Sequence, residues 1–147
     1  MNEGNGVSTY IYSRLSQDSR VQTLIGKHPT LKIWQVYEVQ APQDAAHPFI
    51  VYIPQTPQMA RGTGGKKIFR TCNYIIKAVG TGDSFSPVAE IANLIDEIMH
   101  KDQLLDDSEV VAGCSVVSDL QYSTVEDGVR YNHMGSIVEI MAYGKEG

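Results

Sequence analysis

The sequence predicts an α+β domain: a largely antiparallel, mixed sheet of about five strands, two main helices packed on one face, and one extended hairpin tip. Three observations carry this. Apolar residues recur at helical spacing in two stretches only, near the N-terminus and over residues 87–99. Five other stretches alternate between apolar and polar residues or run apolar throughout, as strands do. The resulting order (helix, three strands, helix, two strands) has too few helices to cover both faces of a sheet.

Residues 1–6, with Asn2, Gly4, Asn5 and Gly6, read as a flexible start. Val7, Tyr10, Ile11, Leu15, Val21, Leu24 and Ile25 then follow helical spacing, and Gly26 is a natural stop. A bend is expected near Ser16–Ser19, with Arg14, Asp18 and Arg20 on the solvated side. Leu31, Ile33, Tyr37 and Val39 alternate with mostly polar neighbours and predict the first strand. Pro42 and Pro48 make residues 41–48 a loop, because proline lacks a ladder donor and turns its predecessor away from helix.

Phe49–Ile53 is apolar on both faces, like a central strand, and Pro54 ends it. Ile68–Val79 is a longer strand with Ile68, Cys72, Tyr74, Ile76 and Ala78 on one face and Thr71, Asn73 and Lys77 on the other. Between them, residues 55–67 have little to bury and carry Gly62, Gly64 and Gly65. Arg61, Lys66 and Lys67 make this segment basic within an acidic chain. The two strands therefore read as a hairpin whose tip is residues 55–67.

Ser86 is placed to cap a helix that has Pro87 at its first position. Val88, Ile91, Ala92, Ile95, Ile98 and Met99 then form a continuous stripe. An acidic connector follows with Asp102, Asp106, Asp107 and Glu109. Cys114, Val116, Leu120 and Tyr122 are expected on one face of the next strand. Glu126-Asp127-Gly128 is the turn, and Val129–Tyr143 is the last strand, with Met134, Val138, Ile140 and Ala142 aligned.

The chain of 147 residues reads as one domain over 1–147. Its 42% apolar and 20% charged residues exclude a disordered protein. Its net charge of -5 argues against a protein whose main work is to neutralise nucleic-acid phosphates. Cys72 and Cys114 each lie in an apolar run and are expected as buried thiols of a reducing compartment. The N-terminus lacks a signal-peptide pattern, and no apolar run approaches the ~20 residues of a membrane span. The expectation is a soluble protein made in the cytoplasm, with no membrane contact.

Catalytic and cofactor motifs are not found. Gly62-Thr63-Gly64-Gly65-Lys66-Lys67 invites a phosphate-loop reading but has the wrong spacing. Lys67 replaces the hydroxyl residue, and a strand follows where a helix N-terminus is needed. His28, His47, His100 and His133 are scattered, and surface or loop roles are expected for them. The acids at Asp96, Glu97, Asp102, Asp106 and Asp107 lack the ligand alternation of a calcium loop and read as a solvated rim. No serine sits in a nucleophile elbow. The prediction is no catalytic residue, no metal and no cofactor.

Several segments together resemble a known family. They are Ala41-Pro42-Gln43, then His47-Pro48-Phe49-Ile50-Val51-Tyr52, a long strand, Gly80 to Phe85 opening the helix Pro87–Met99, Asp119 to Val125, and a last strand with Val138-Glu139-Ile140. This pattern, spanning Ser8 to Tyr143, is similar to the tail-completion, or tail-terminator, proteins of long-tailed bacteriophages (the DUF3168-type family). The A-P-Q and P-F-I-V-Y segment is its most specific part; the 55–67 tip has no counterpart in the pattern.

The resemblance implies a non-enzymatic virion protein of the tail and neck. Such a protein forms a six-membered ring on the tail tube, ends tube polymerisation and presents a docking face to the head's connector. It implies Pro42, Pro48, Phe49 and Tyr52 as fold determinants only. Expected partners are further copies of the chain, the tail tube protein and the head–tail connector or stopper protein, with DNA passing through unbound. Within this reading, Gln55, Gln58, Arg61, Lys66 and Lys67 are candidate interface residues. Asp102, Asp106, Asp107 and Glu109 are candidates for a channel wall or rim over which phosphates slide. Two other classes compete: a different head–tail joining component (stopper or adaptor), and a small ligand-binding domain using the glycine-rich loop.

Overall fold

The computed structural model describes residues 3–55, 58–60, 68–100 and 111–144. Helix α1 (Glu3–Ser16) starts inside the segment expected to be flexible, because Val7, Ile11 and Leu15 are fully buried and tertiary packing outweighs the poor propensity of its first turn. The expected bend is a full break. α2 (Ser19–Ile25) begins after Asp18, whose extended backbone lets its carboxylate accept the N–H groups of Arg20 and Val21. Arg20 also reaches Glu97 at 2.8 Å. Arg14 is not on the solvated side: it is half-buried, its guanidinium 5.9 Å from the centre of the Tyr10 ring.

The strands are β1 (Val36–Glu38), β2 (Phe49–Pro54), β3 (Gln58–Ala60), β4 (Ile68–Thr81), β5 (Val111–Glu126) and β6 (Val129–Gly144). They form one open sheet in the order β1-β2-β4-β6-β5, with β3 pairing β4 beside β2. β1 runs parallel to β2, and the other pairings are antiparallel. The mixed, largely antiparallel α+β fold read from the sequence is therefore the observed one. The predicted hairpin is observed too, β2 and β4 pairing from Phe49↔Val79 to Pro54↔Tyr74.

β1 is much shorter than its alternation predicted. Leu31, Ile33 and Val39 are exposed, and positive φ angles at Lys32 (59°) and Val39 (65°) take the chain out of strand geometry on both sides. β3 is a strand that side-chain pattern did not reveal; backbone pairing from Gln58↔Thr71 to Ala60↔Phe69 makes it.

α3 (Ser86–Met99) buries the whole predicted stripe. Its cap differs from the expectation. Phe85 occupies the cap position, Ser86 is the first helical residue, and its N–H is satisfied by the Ser84 hydroxyl at 3.1 Å.

All three helices pack on one sheet face. Their apolar stripes share a core with Ile50, Tyr52, Tyr74, Ile76, Val138 and Ile140. The opposite face carries a smaller core, with Phe49, Val51 and Val79 under Ala45 of the 39–48 connection. Cys72 and Cys114 are both buried, and burial pushes the Cys114 thiol up to about 12.

β5 and β6 form a long ribbon closed by Asp127 and Gly128, both at positive φ (51° and 77°) as a two-residue hairpin turn requires. The sequence-predicted face of β5 needs correction. A bulge between Val116 and Ser118 shifts the register, so Cys114 and Val116 lie opposite Ile140 and Val138, whereas Leu120 and Tyr122 lie opposite Gly135 and His133 on the other face.

Candidate functional site

Among the described residues no group of three or more His, Cys, Asp or Glu could hold a metal ion. The histidines are spent on structure. His28, for which a surface or loop role is expected, sits in a loop but is only 1% exposed. Its Nδ1 accepts the N–H groups of Thr30 (3.1 Å) and Leu31 (3.0 Å), so Nε2 carries the proton and donates to Asp44 at 2.9 Å. This bond ties the entry to β1 onto the 39–48 connection, and it holds the Asp44 carboxyl below its usual range. His47 packs against Phe49 and Tyr131, and His100 Nδ1 accepts the Val116 N–H.

The most organised polar cluster lies on the sheet face away from the helices. Register puts Lys77 opposite Gly135 on β6, and the missing side chain opens a path to Tyr122 on β5. Lys77 Nζ donates to the Tyr122 hydroxyl at 2.5 Å, and the Tyr122 ring stacks on His133 with centroids 4.4 Å apart. His133 Nε2 meets the Thr124 hydroxyl at 3.1 Å. Burial, and secondarily the Lys77 ammonium, pushes His133 down to about 4. A hydrogen-bond-free, buried Nδ1 is consistent with this neutral ring. The sequence hid the cluster because the β5 bulge is what brings Tyr122 to this face.

The cluster walls a groove of about 400 Å³ between the 39–48 connection and the β5–β6 ribbon, floored by Phe49, Val51 and Val79. The groove is open, and Lys77, Thr124 and His133 in its lining already spend their polar groups on Tyr122 and on one another. It therefore reads as a contact surface.

Of the predicted site residues, Gln55 is exposed, and its backbone N–H donates to Asn73 O at 2.7 Å. Gln58 stands opposite Thr71 at the start of β3. Arg61, Lys66 and Lys67 lie outside the described residues, as do Asp102, Asp106, Asp107 and Glu109. No helix of the described residues is long and apolar enough to cross a membrane.

An open mixed sheet with helices on one face, a long terminal ribbon and exposed apolar edges defines the class: an α+β protein that presents sheet edges to its surroundings. Residues 9–132 match the family described as tail completion protein gp17, and the chain belongs to that family. It is thus a structural component of the virion tail. No curated protein matches the sequence. A chain from the virion of a native gene transfer agent particle shares the fold, with a TM-score of 0.67 and 13% identity over 91% of this chain and 92% of that one.

Proposed function

We propose that this tail completion protein forms a ring that caps the tail tube, ends its polymerisation and offers the head-docking face. One domain spanning residues 1–147 provides each subunit. The observation that supports this best is the sheet itself: it stays open, with β1 at one margin and β5 at the other, so one subunit's margin can face a different margin of the next around a closed circle. Six copies, with the tail tube protein below and the connector or stopper protein above, are the assembly the family resemblance implies. No step of this role is chemical, so the protein acts without turnover.

Within the ring, residues 55–67 serve as an arm toward a neighbouring subunit or the tube, with Gln55, Gln58, Arg61, Lys66 and Lys67 as its contacts. Asp102, Asp106, Asp107 and Glu109 line the channel or its rim, where negative charge keeps DNA sliding.

Adding purified protein to polymerising tube protein tests the reading. Tubes should stop growing at a length set by the ratio of the two proteins, and native mass measurement should give a six-subunit species. Unrestricted tube growth, together with binding to the portal complex, would assign the chain to the stopper or adaptor class instead.

A further inference from the structure

We propose that neighbouring copies of this chain meet through two different patches, the flank of β1 in one copy against the β5–β6 ribbon of the next. The inference rests on the ring reading and names its contact surfaces. It starts from where exposed apolar side chains sit. Leu31 (55% exposed), Ile33 and Val39 flank β1, at one margin of the sheet. Val117, Tyr122 and Val125 (69% exposed) lie on β5, at the opposite margin, and Val129 and Met141 lie beside them on β6. Scattered apolar exposure is ordinary, but its confinement, among the described residues, to two opposite margins marks contact surfaces.

Charge selects the pairing. Lys27 and Lys32 are exposed beside Leu31 and Ile33, with the exposed acids Glu38 on β1 and Asp44 near them, so this flank carries both signs. The ribbon exposes Asp119, Glu126 and Asp127, while its Arg130 is held by Asn132 and Ser123. Ribbon against ribbon would set acid against acid, whereas the β1 flank offers those acids two lysines within a patch of mixed sign. Two unlike, complementary patches on opposite margins give a heterologous contact, the kind that closes into rings.

The backbone indicates how the contact is made. β5 is interrupted by register shifts between Val111 and Gly113 and between Val116 and Ser118, so a continuous added strand cannot run its length. Over residues 111–118 side chains rather than a shared ladder carry the joint, while residues 118–126, with Tyr122 and Val125, keep an unbroken register. At the β1 flank, Val39 holds φ 65°, a left-handed conformation that costs a β-branched residue free energy, while its side chain is 54% exposed and adds little to the core. The partner's ribbon supplies a use for that strained, outward presentation.

The test uses the full chain with Leu31→Cys in one copy and Val125→Cys in another, the two being co-expressed and treated with a short bis-maleimide. Both positions are exposed, so the fold is retained, and native Cys72 and Cys114 are buried and give little background. The expected result is a cross-linked dimer in the mixture and none in either variant alone. A double variant should give a ladder ending at the number of subunits in the ring. Cross-linking within either single variant, or rings confirmed by native mass that yield no cross-link in the mixture, would overturn this inference and leave the ring reading standing. A wild-type chain that stays solitary by native mass, with or without tubes, would sink both.

Discussion

Gly135 on β6 passes so close to Ile76 on β4 that a Cβ at position 135 would lie 2.1 Å from the Ile76 carbonyl oxygen and 2.5 Å from the Cα of Lys77. The obstruction is backbone on the central pair of the sheet, which cannot swing aside as a side chain would. Gly135→Ala should therefore cost on the order of 3 kcal/mol or prevent folding altogether, at the upper end of overpacking effects. Gly113→Ala, where an added Cβ meets nothing within 4 Å, is the control and should be tolerated. Urea unfolding of the two variants makes the comparison.

His28 bonds three groups at once, and its removal should be felt at both ends. His28→Ala leaves a cavity and frees the N–H groups of Thr30 and Leu31, for a loss of about 3 kcal/mol. Asp44→Asn removes only the charge at the exposed end and should be mild at neutral pH. Because Asp44 sits below its ordinary value of 3.8 in the folded chain, the stability it adds is present above about pH 4 and is lost as pH falls through the lower folded value. Acid unfolding should accordingly be less steep in Asp44→Asn than in the wild type.

His133 gives a second pH dependence, in a different window. Its folded value is about 4 and its ordinary value 6.5, so the unfolded chain binds the proton more readily between them. Stability from the neutral ring is complete above pH 6.5 and declines as pH falls toward 4. Partial exposure limits the effect to about 1 kcal/mol. Lys77→Met removes one of the two causes and should raise the His133 titration midpoint, read from its imidazole NMR signals. An unmoved midpoint would show that burial alone sets it.

Val39→Gly should stabilise the isolated chain by up to about 1 kcal/mol, because glycine adopts a φ of 65° without the Cβ penalty and little core packing is lost. The same change should weaken assembly if Val39 works at a subunit contact. A thermal melt and a native mass measurement on one sample separate the two effects.

Periodicity made the helical side of this protein legible. The α3 stripe, the buried face of β4 and the aligned residues of β6 follow from spacing alone, since each element repeats its geometry without interruption. Misreadings fall where the backbone departs from its repeat. Lys32 and Val39 leave strand geometry and cut β1 to three residues, and one bulge turns Tyr122 away from the face its parity assigned. His28 was legible as a residue but not as a hub, because its partners are a turn it closes itself and a loop that returns from sixteen residues on. The contact margins were invisible for a related reason: strand order, which places β1 and β5 at opposite ends, is not written in any local pattern.

The 55–67 tip offers the last test, because fold and assembly should respond to its loss differently. Among its described residues, the ties to the body are the Gln55 N–H bond to Asn73 and three residues of β3 pairing. Such edge pairing contributes little beside the β2–β4 and β4–β6 ladders. Deleting Pro57–Gly65 should therefore leave the melting temperature within a few degrees of the wild type, given that about 1 kcal/mol corresponds to 2–8 °C for domains of this size. If the tip is an assembly arm, the shortened chain should fold normally and yet form fewer rings or attach to tubes less often. Exchanging Arg61, Lys66 and Lys67 for Ser in the full-length chain then separates charge from length: a matching defect assigns the contact to the basic groups, and normal assembly assigns it to the reach of the backbone. Normal rings and normal tail attachment after the deletion would remove the arm from the mechanism.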